Sequence, residues 1–169
     1  MSGPTLEAER LTVVREIAAS LKGERGALMP ILHRVVDEVG YVTHEDTKVI
    51  ADVLNLSEAD VHGVATFYKD FRREPAAGCV VQVCRGEACQ AVGAEALVEH
   101  ATTTLGVDVD AQSADGSVEL EQIFCFGNCA LGPTVSVDGR LHGRVNPDRF
   151  DAIVDAARVE KAGVEEARA

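Results

Sequence analysis

Four cysteines constrain this chain more than any other feature. Cys84 and Cys89 form a C-x4-C pair, thirty-five residues intervene, and Cys125 and Cys129 form a C-x3-C pair. Each pair begins where a strand-like run ends: CVVQVC closes on Cys84, and VELEQIF leads directly into Cys125. Between the runs lies a helical stretch, AVGAEALVEHATTTL, and a loop at Ala114-Asp115-Gly116. Strands 79–83 and 118–124 joined through a helix are parallel, and a right-handed crossover brings their carboxyl ends to one edge of the sheet. Four sulfurs then meet there, at the edge where open α/β sheets commonly bind ligands.

Four cysteines without histidine suit soft, thiolate-preferring metals, either zinc or an iron–sulfur cluster. Both gaps fall within the range of structural zinc knuckles, so spacing leaves zinc open. They also accommodate a cluster whose two irons each take two cysteines, although the plant-type ferredoxin spacing is not present. A thiol oxidoreductase is the third reading, but it calls for C-x-x-C after the first strand, and the chain has none. The fifth cysteine, Cys79, alternates with Cys84 along the extended run, so it points away from the cluster with Val81 and Val83 as a small buried hydrophobe.

The rest of the chain supplies two regions. Residues 1–77 read as about four helices, the first near residues 6–21. Leu28, Ile31, Leu32, Val35, Val36 and Val39 recur at helical spacing before Gly40, a natural stop. Thr43 with Asp46, and Ser57 with Asp60, resemble capping boxes for two further helices. Residues 78–158 read β-α-β-β-β-α, the order of a thioredoxin-like α/β domain, so the whole is α+β. Asp138-Gly139 between alternating runs marks a hairpin, and Asn146-Pro147 opens a last helix carrying Phe150, Ile153, Val154 and Ala157. Residues 159–169 are expected to be a flexible tail.

Composition narrows the function classes. At 169 residues and 46% hydrophobic content the chain buries a real core. A formal charge of −12 repels phosphate backbones and anionic lipid, which argues against nucleic acid or membrane-surface partners and for protein partners. No apolar run approaches the roughly 20 residues that span a bilayer. Acids where a secretory signal needs an apolar stretch point to the cytoplasm, where cysteines serve metals or catalysis better than disulfides. The chain has neither a G-x-G-x-x-G fingerprint nor a P-loop. His33, His44, His62, His100 and His142 share no ligand spacing and read as surface or satisfied core.

With these residues in place, the chain resembles the 24 kDa-type [2Fe-2S] subunit family shared by respiratory complex I, NAD-reducing hydrogenases and NAD-dependent formate dehydrogenases. The resemblance runs over about residues 26–158, through ALMPILHRVVDEVGYV, VHGVATFY, VCRGEACQAVGAEAL and CFGNCALGPTVSVDGRLHGRVNPDRF. It implies a helical N-terminal region joined to a thioredoxin-like ferredoxin domain, and one [2Fe-2S] cluster on Cys84, Cys89, Cys125 and Cys129. The motifs look most like the gamma subunit of a molybdenum- or tungsten-dependent formate dehydrogenase. Glu87-Ala88-Cys89-Gln90 departs from the Thr-Ala-Cys or Thr-Pro-Cys of complex I relatives. The equivalent subunit of complex I or of a hydrogenase is the alternative, and a zinc-stabilised binding module a more distant one.

The resemblance further implies an electron-transfer subunit with no catalytic residue of its own. FMN and NAD belong on a partner flavoprotein, and formate is oxidised in a large molybdenum- or tungsten-containing subunit. The cluster takes or stores one flavin electron at a time. Around it, Gly86, Gly127 and Asn128 are expected to form tight turns whose N–H groups reach sulfur and raise the potential. Arg85 either adds to that effect or faces water or a partner.

Overall fold

Apolar residues at helical spacing build the first of two compact units, Met1–Ala76 and Ala77–Ala169, in the computed structural model, which describes residues 4–166. The first unit holds α1 (Pro4–Leu21), α2 (Leu28–Val39), α3 (His44–Leu54) and α4 (Glu58–Phe67). Gly40 ends α2 at φ 95°, a conformation that favours glycine, and returns its N–H to Val36. Thr43 and Asp46 form the reciprocal capping box at α3, and Ser57 Oγ accepts the Asp60 N–H at 3.1 Å to start α4. Val14, Ile31, Leu32, Val35, Ile50, Val61 and Phe71 fill the core.

Asp46 has a second role that its place in the cap does not reveal. Its carboxylate is fully buried and takes the Arg10 guanidinium at 2.6 Å, while the same Arg10 nitrogen donates to the Tyr41 carbonyl at 2.7 Å. The guanidinium also lies 4.0 Å from the centre of the Tyr41 ring. Burying an ion pair is tolerated where further hydrogen bonds complete it, and here cap, carbonyl and ring all do so.

The second unit is a five-stranded mixed sheet in the order β2-β3-β1-β4-β5. β1 (Cys79–Cys84) runs parallel to β3 (Val118–Ile123), with Cys79 opposite Val118 and Cys84 opposite Ile123. The crossover contains a short helical turn, α5 (Glu87–Gln90), and α6 (Ala94–Leu105). β4 (Val135–Val137) pairs antiparallel with β1 and with β5 (Arg140–His142). Asp138 and Gly139 join those two strands at φ 48° and 81°, the positive values a two-residue hairpin turn needs. α7 (Pro147–Glu166) follows, capped by Asn146 Oδ1 on the Arg149 N–H at 2.9 Å, and sends Phe150 and Val154 into the core beneath β1.

Two features differ from expectation. A two-residue strand, β2 (Ala111–Gln112), pairs antiparallel with β3; it is too short to leave a periodic signal. Residues 159–166, expected as part of a tail, continue α7. There Arg140 donates to Glu160 through two bonds of 2.9 and 3.0 Å, and Lys161 holds Asp138 at 2.8 Å and the Gly78 carbonyl. Residues 167–169 of that expected tail lie outside the described residues. No helix among the described residues is long and apolar enough to cross a membrane.

Candidate metal centre

Parallel pairing of β1 and β3 places both cysteine-bearing loops at one sheet edge. Cys84 is the last residue of β1, Cys89 lies in α5, and Cys125 follows β3 by two residues. Cys129 starts a single 3-10 turn, Cys129–Leu131. The thiols gather as two pairs. Cys125 and Cys129 Sγ stand 3.6 Å apart, and Cys84 and Cys89 share a hydrogen bond. Burial pushes the Cys89 thiol up, and its bond with Cys84 adds to this. Cys129 is raised by its hydrogen bond with Cys125 and by that neighbour's charge; the charge of Cys84 reaches it as well, so the two pairs sense each other. Among the described residues no three His, Cys, Asp or Glu side chains gather as closely as a single ion requires.

Glycine lets the loops approach. A Cβ on Gly86 would lie 2.8 Å from the Phe124 carbonyl oxygen and 3.6 Å from Cys125 Cβ. Gly86 therefore serves close packing of one cysteine loop on the other, at an ordinary φ of −65°, rather than the tight turn expected of it. Gly127 does make such a turn: φ is 78°, and its N–H donates to Cys125 Sγ at 3.2 Å. Asn128 acts through its side chain, whose amide donates to Thr134 Oγ1 at 3.3 Å.

Thr134 has no counterpart among the expected site residues. It is fully buried, and its backbone and side chain both hydrogen-bond Cys89 in the sense that favours the thiolate. Because the Asn128 amide occupies the Thr134 oxygen as a donor, the hydroxyl proton is free to point at sulfur. Gly132 and Gly143 are two further additions. A Cβ on Gly132 would meet Cys89 Sγ at 3.3 Å and Val92 at 3.0 Å, and one on Gly143 would meet Leu131 Cβ at 2.7 Å. Neither contact has a local sequence signal.

Other expectations find definite places. Cys79 is buried in the sheet core with Val81 and Val83, on the face opposite Cys84. His33 meets the Phe71 ring edge-on, His44 lies 3.3 Å from Glu58 and edge-on to His62, and His100 pairs with Asp151 at 2.7 Å. His142 is held below the usual imidazole range, by burial first and then by Arg149 and Arg140.

The thiol pairs, converging strand ends and fold coincide with a family match. The model of the thioredoxin-like [2Fe-2S] ferredoxin family matches residues 14–158. The chain belongs to that family. A thioredoxin-like [2Fe-2S] ferredoxin carries a [2Fe-2S] cluster as its cofactor, and the residues present fit one: two thiol pairs, with N–H and hydroxyl donors aimed at sulfur.

Proteins similar to this ferredoxin are subunits of larger assemblies. It is 34% identical over 144 residues to a subunit of the NADH-quinone oxidoreductase of Mycobacterium tuberculosis (strain ATCC 25618 / H37Rv), covering 85% of this chain and 57% of that protein. It thus spans little more than half the length of that relative. It is 31% identical to NADP-reducing hydrogenase subunit HndA of Solidesulfovibrio fructosivorans, covering 83% and 82% of the two chains. A crystal structure of NAD+-reducing [NiFe]-hydrogenase in the H2-reduced state shares the fold at a TM-score of 0.66 and 19% identity, over 78% of this chain and 22% of that one.

Proposed function

We propose that this ferredoxin is the one-electron-transfer subunit of the NAD/FMN diaphorase module of an NAD-dependent formate dehydrogenase. In this reading Cys84 and Cys89 hold one iron of the cluster, and Cys125 and Cys129 the other. The observation that carries it is the division of four convergent thiols into two pairs, which is what a binuclear cluster needs. Such a cluster supplies a reversible one-electron carrier.

The chain's own residues do the rest. Gly127 N–H and Thr134 donate to sulfur and so favour negative charge at the site. Val92, Phe124 and Leu131, 55%, 66% and 40% exposed, lie in or beside the ligand loops as an apolar rim suited to a partner surface. That partner is a flavoprotein carrying FMN and NAD, since this chain has no nucleotide fingerprint. The formate assignment rests on Glu87-Ala88-Cys89-Gln90 and on CFGNCALGP. The names of the relatives favour a second reading, the equivalent subunit of an NADH-quinone oxidoreductase or a hydrogenase.

Purification separates these readings. The expected result is a brown protein with two irons per chain, a reducible [2Fe-2S] EPR signal, and co-purifying formate-dependent NAD reduction. Hydrogen- or quinone-linked activity instead moves the assignment to the second reading. One zinc per chain without visible absorbance sinks both.

A further inference from the structure

Arg85 leaves β1 one residue past Cys84 and is fastened inside this unit. Its Nε and Nη2 donate to the two carboxylate oxygens of Glu95 at 2.9 and 2.8 Å, and Nη1 donates to Gln122 Oε1 at 2.8 Å. Gln122 in turn holds Asp110 through its side-chain amide at 2.6 Å and its N–H at 3.2 Å. The Arg85 carbonyl accepts the Gln90 amide at 2.6 Å, so the loop around Cys89 is tied to Arg85 from both sides. Glu95 sits in the first turn of α6, where the helix dipole favours an anion. The forked, two-bond geometry is the one a guanidinium and a carboxylate prefer.

We infer that Glu95 is a positioning and charge-setting residue for electron transfer: it cancels Arg85, so the first ligand loop presents the cluster with a nearly neutral pair. Reduction adds one negative charge, which a nearby cation stabilises and a nearby anion opposes. Cutting one member of the pair therefore exposes the charge of the other. Removing Glu95 raises the reduction potential, and removing Arg85 lowers it. A clamp that acted only by holding the loop gives a different pattern, because both single variants break the Arg85–Glu95 fork, Arg85→Gln losing the Gln122 bond as well, and shift together. The inference rests on Cys84 and Cys89 as ligands.

The test is an EPR-monitored redox titration of the full chain carrying its cluster. Glu95→Gln is expected to shift the midpoint upward, Arg85→Gln downward, and the double variant back to the wild-type value. Arg85→Lys, which keeps the charge and loses the fork, stays near wild type. The opposed shifts widen at low ionic strength, where partly exposed charges are least screened. A partly exposed pair adds little to stability, so these variants fold. Shifts of the two single variants in the same direction, or no shift in either, overturn the inference. Wild-type chain without a [2Fe-2S] signal overturns the ligand assignment instead, a separate and recognisable failure.

Discussion

Cys84 and Cys89 are each only 2% exposed, at a strand end and in a helical turn, whereas Cys125 and Cys129 stand at the surface in a loop. The first pair is built into the domain: Thr134 bonds Cys89, Cys84 and Cys89 share one buried cluster with Ala94, and Arg85 fastens the loop. The second pair depends on its own turn, with Gly127 at positive φ and Asn128 reaching back to Thr134. One half of the site is thus fixed by the fold, and the other is open to whatever approaches. In the proposed function, the open half is the one that a partner would meet.

Gly86→Val is expected to have the largest effect on how the two halves meet. Its side chain runs into the Phe124 carbonyl, backbone that cannot turn aside, so the two loops separate at a cost of about 3 kcal/mol and iron content collapses. Gly127→Ala meets no atom and strains only φ, costing about 1 kcal/mol with the cluster retained. Iron per chain and visible absorbance decide between them. Equal losses from the two variants erase the distinction between fixed and open halves.

Serine replacements should affect the two pairs differently. Cys84→Ser or Cys89→Ser is expected to abolish the cluster, because a buried site cannot adjust to the shorter bond to oxygen. Cys125→Ser or Cys129→Ser leaves an altered spectrum and faster loss of iron to a chelator. If Cys79→Ser loses iron while Cys84→Ser does not, the ligand set is wrong.

A smaller effect follows from Thr134→Val. Removing the hydroxyl takes a hydrogen bond from Cys89 and leaves the Asn128 amide unpartnered. The potential falls, and stability drops by about 1 kcal/mol. A potential that stays in place refutes the hydroxyl's role.

The smallest concerns Cys79, whose thiol is raised by burial and then by the charge of Asp138. The unfolded chain therefore gives up this proton before the folded chain does. The resulting stabilisation is complete below the unfolded value of about 9 and fades as pH rises through the folded value. Cys79→Ala should flatten the alkaline limb of the melting curve, at a cost near 1 kcal/mol and with the cluster spectrum unchanged.

Much of the site is legible in the sequence because its signals are local. Alternation in CVVQVC sends Cys79 and Cys84 to opposite faces, and Asp138-Gly139 and Asn146-Pro147 mark a hairpin and a helix start by their own conformational preferences. The helical caps at Thr43 and Ser57 are equally short-range. What stays hidden depends on contacts between distant residues. Thr134 matters because β4 lies beside β1, Glu95 because α6 begins where Arg85 points, and Gly86 because Phe124 passes over it. β2 has two residues and takes its identity only from β3. Arg85 shows the difference most directly: its charge is plain in the one-dimensional chain, and its counter-ion only in the folded one.

The parallel pairing of β1 with β3 sets an order of events in making this protein. Cys84 and Cys125 are distant along the chain, and nothing holds them together until Cys84 stands opposite Ile123. Pairing across a crossover of that length is a slow, late step compared with forming a helix or a hairpin. A nascent or misregistered chain presents two separate thiol pairs and no shared site. With the proposed four ligands, one cluster can span both thiol pairs only where β1 and β3 stand in register, so cluster content reports on that single pairing.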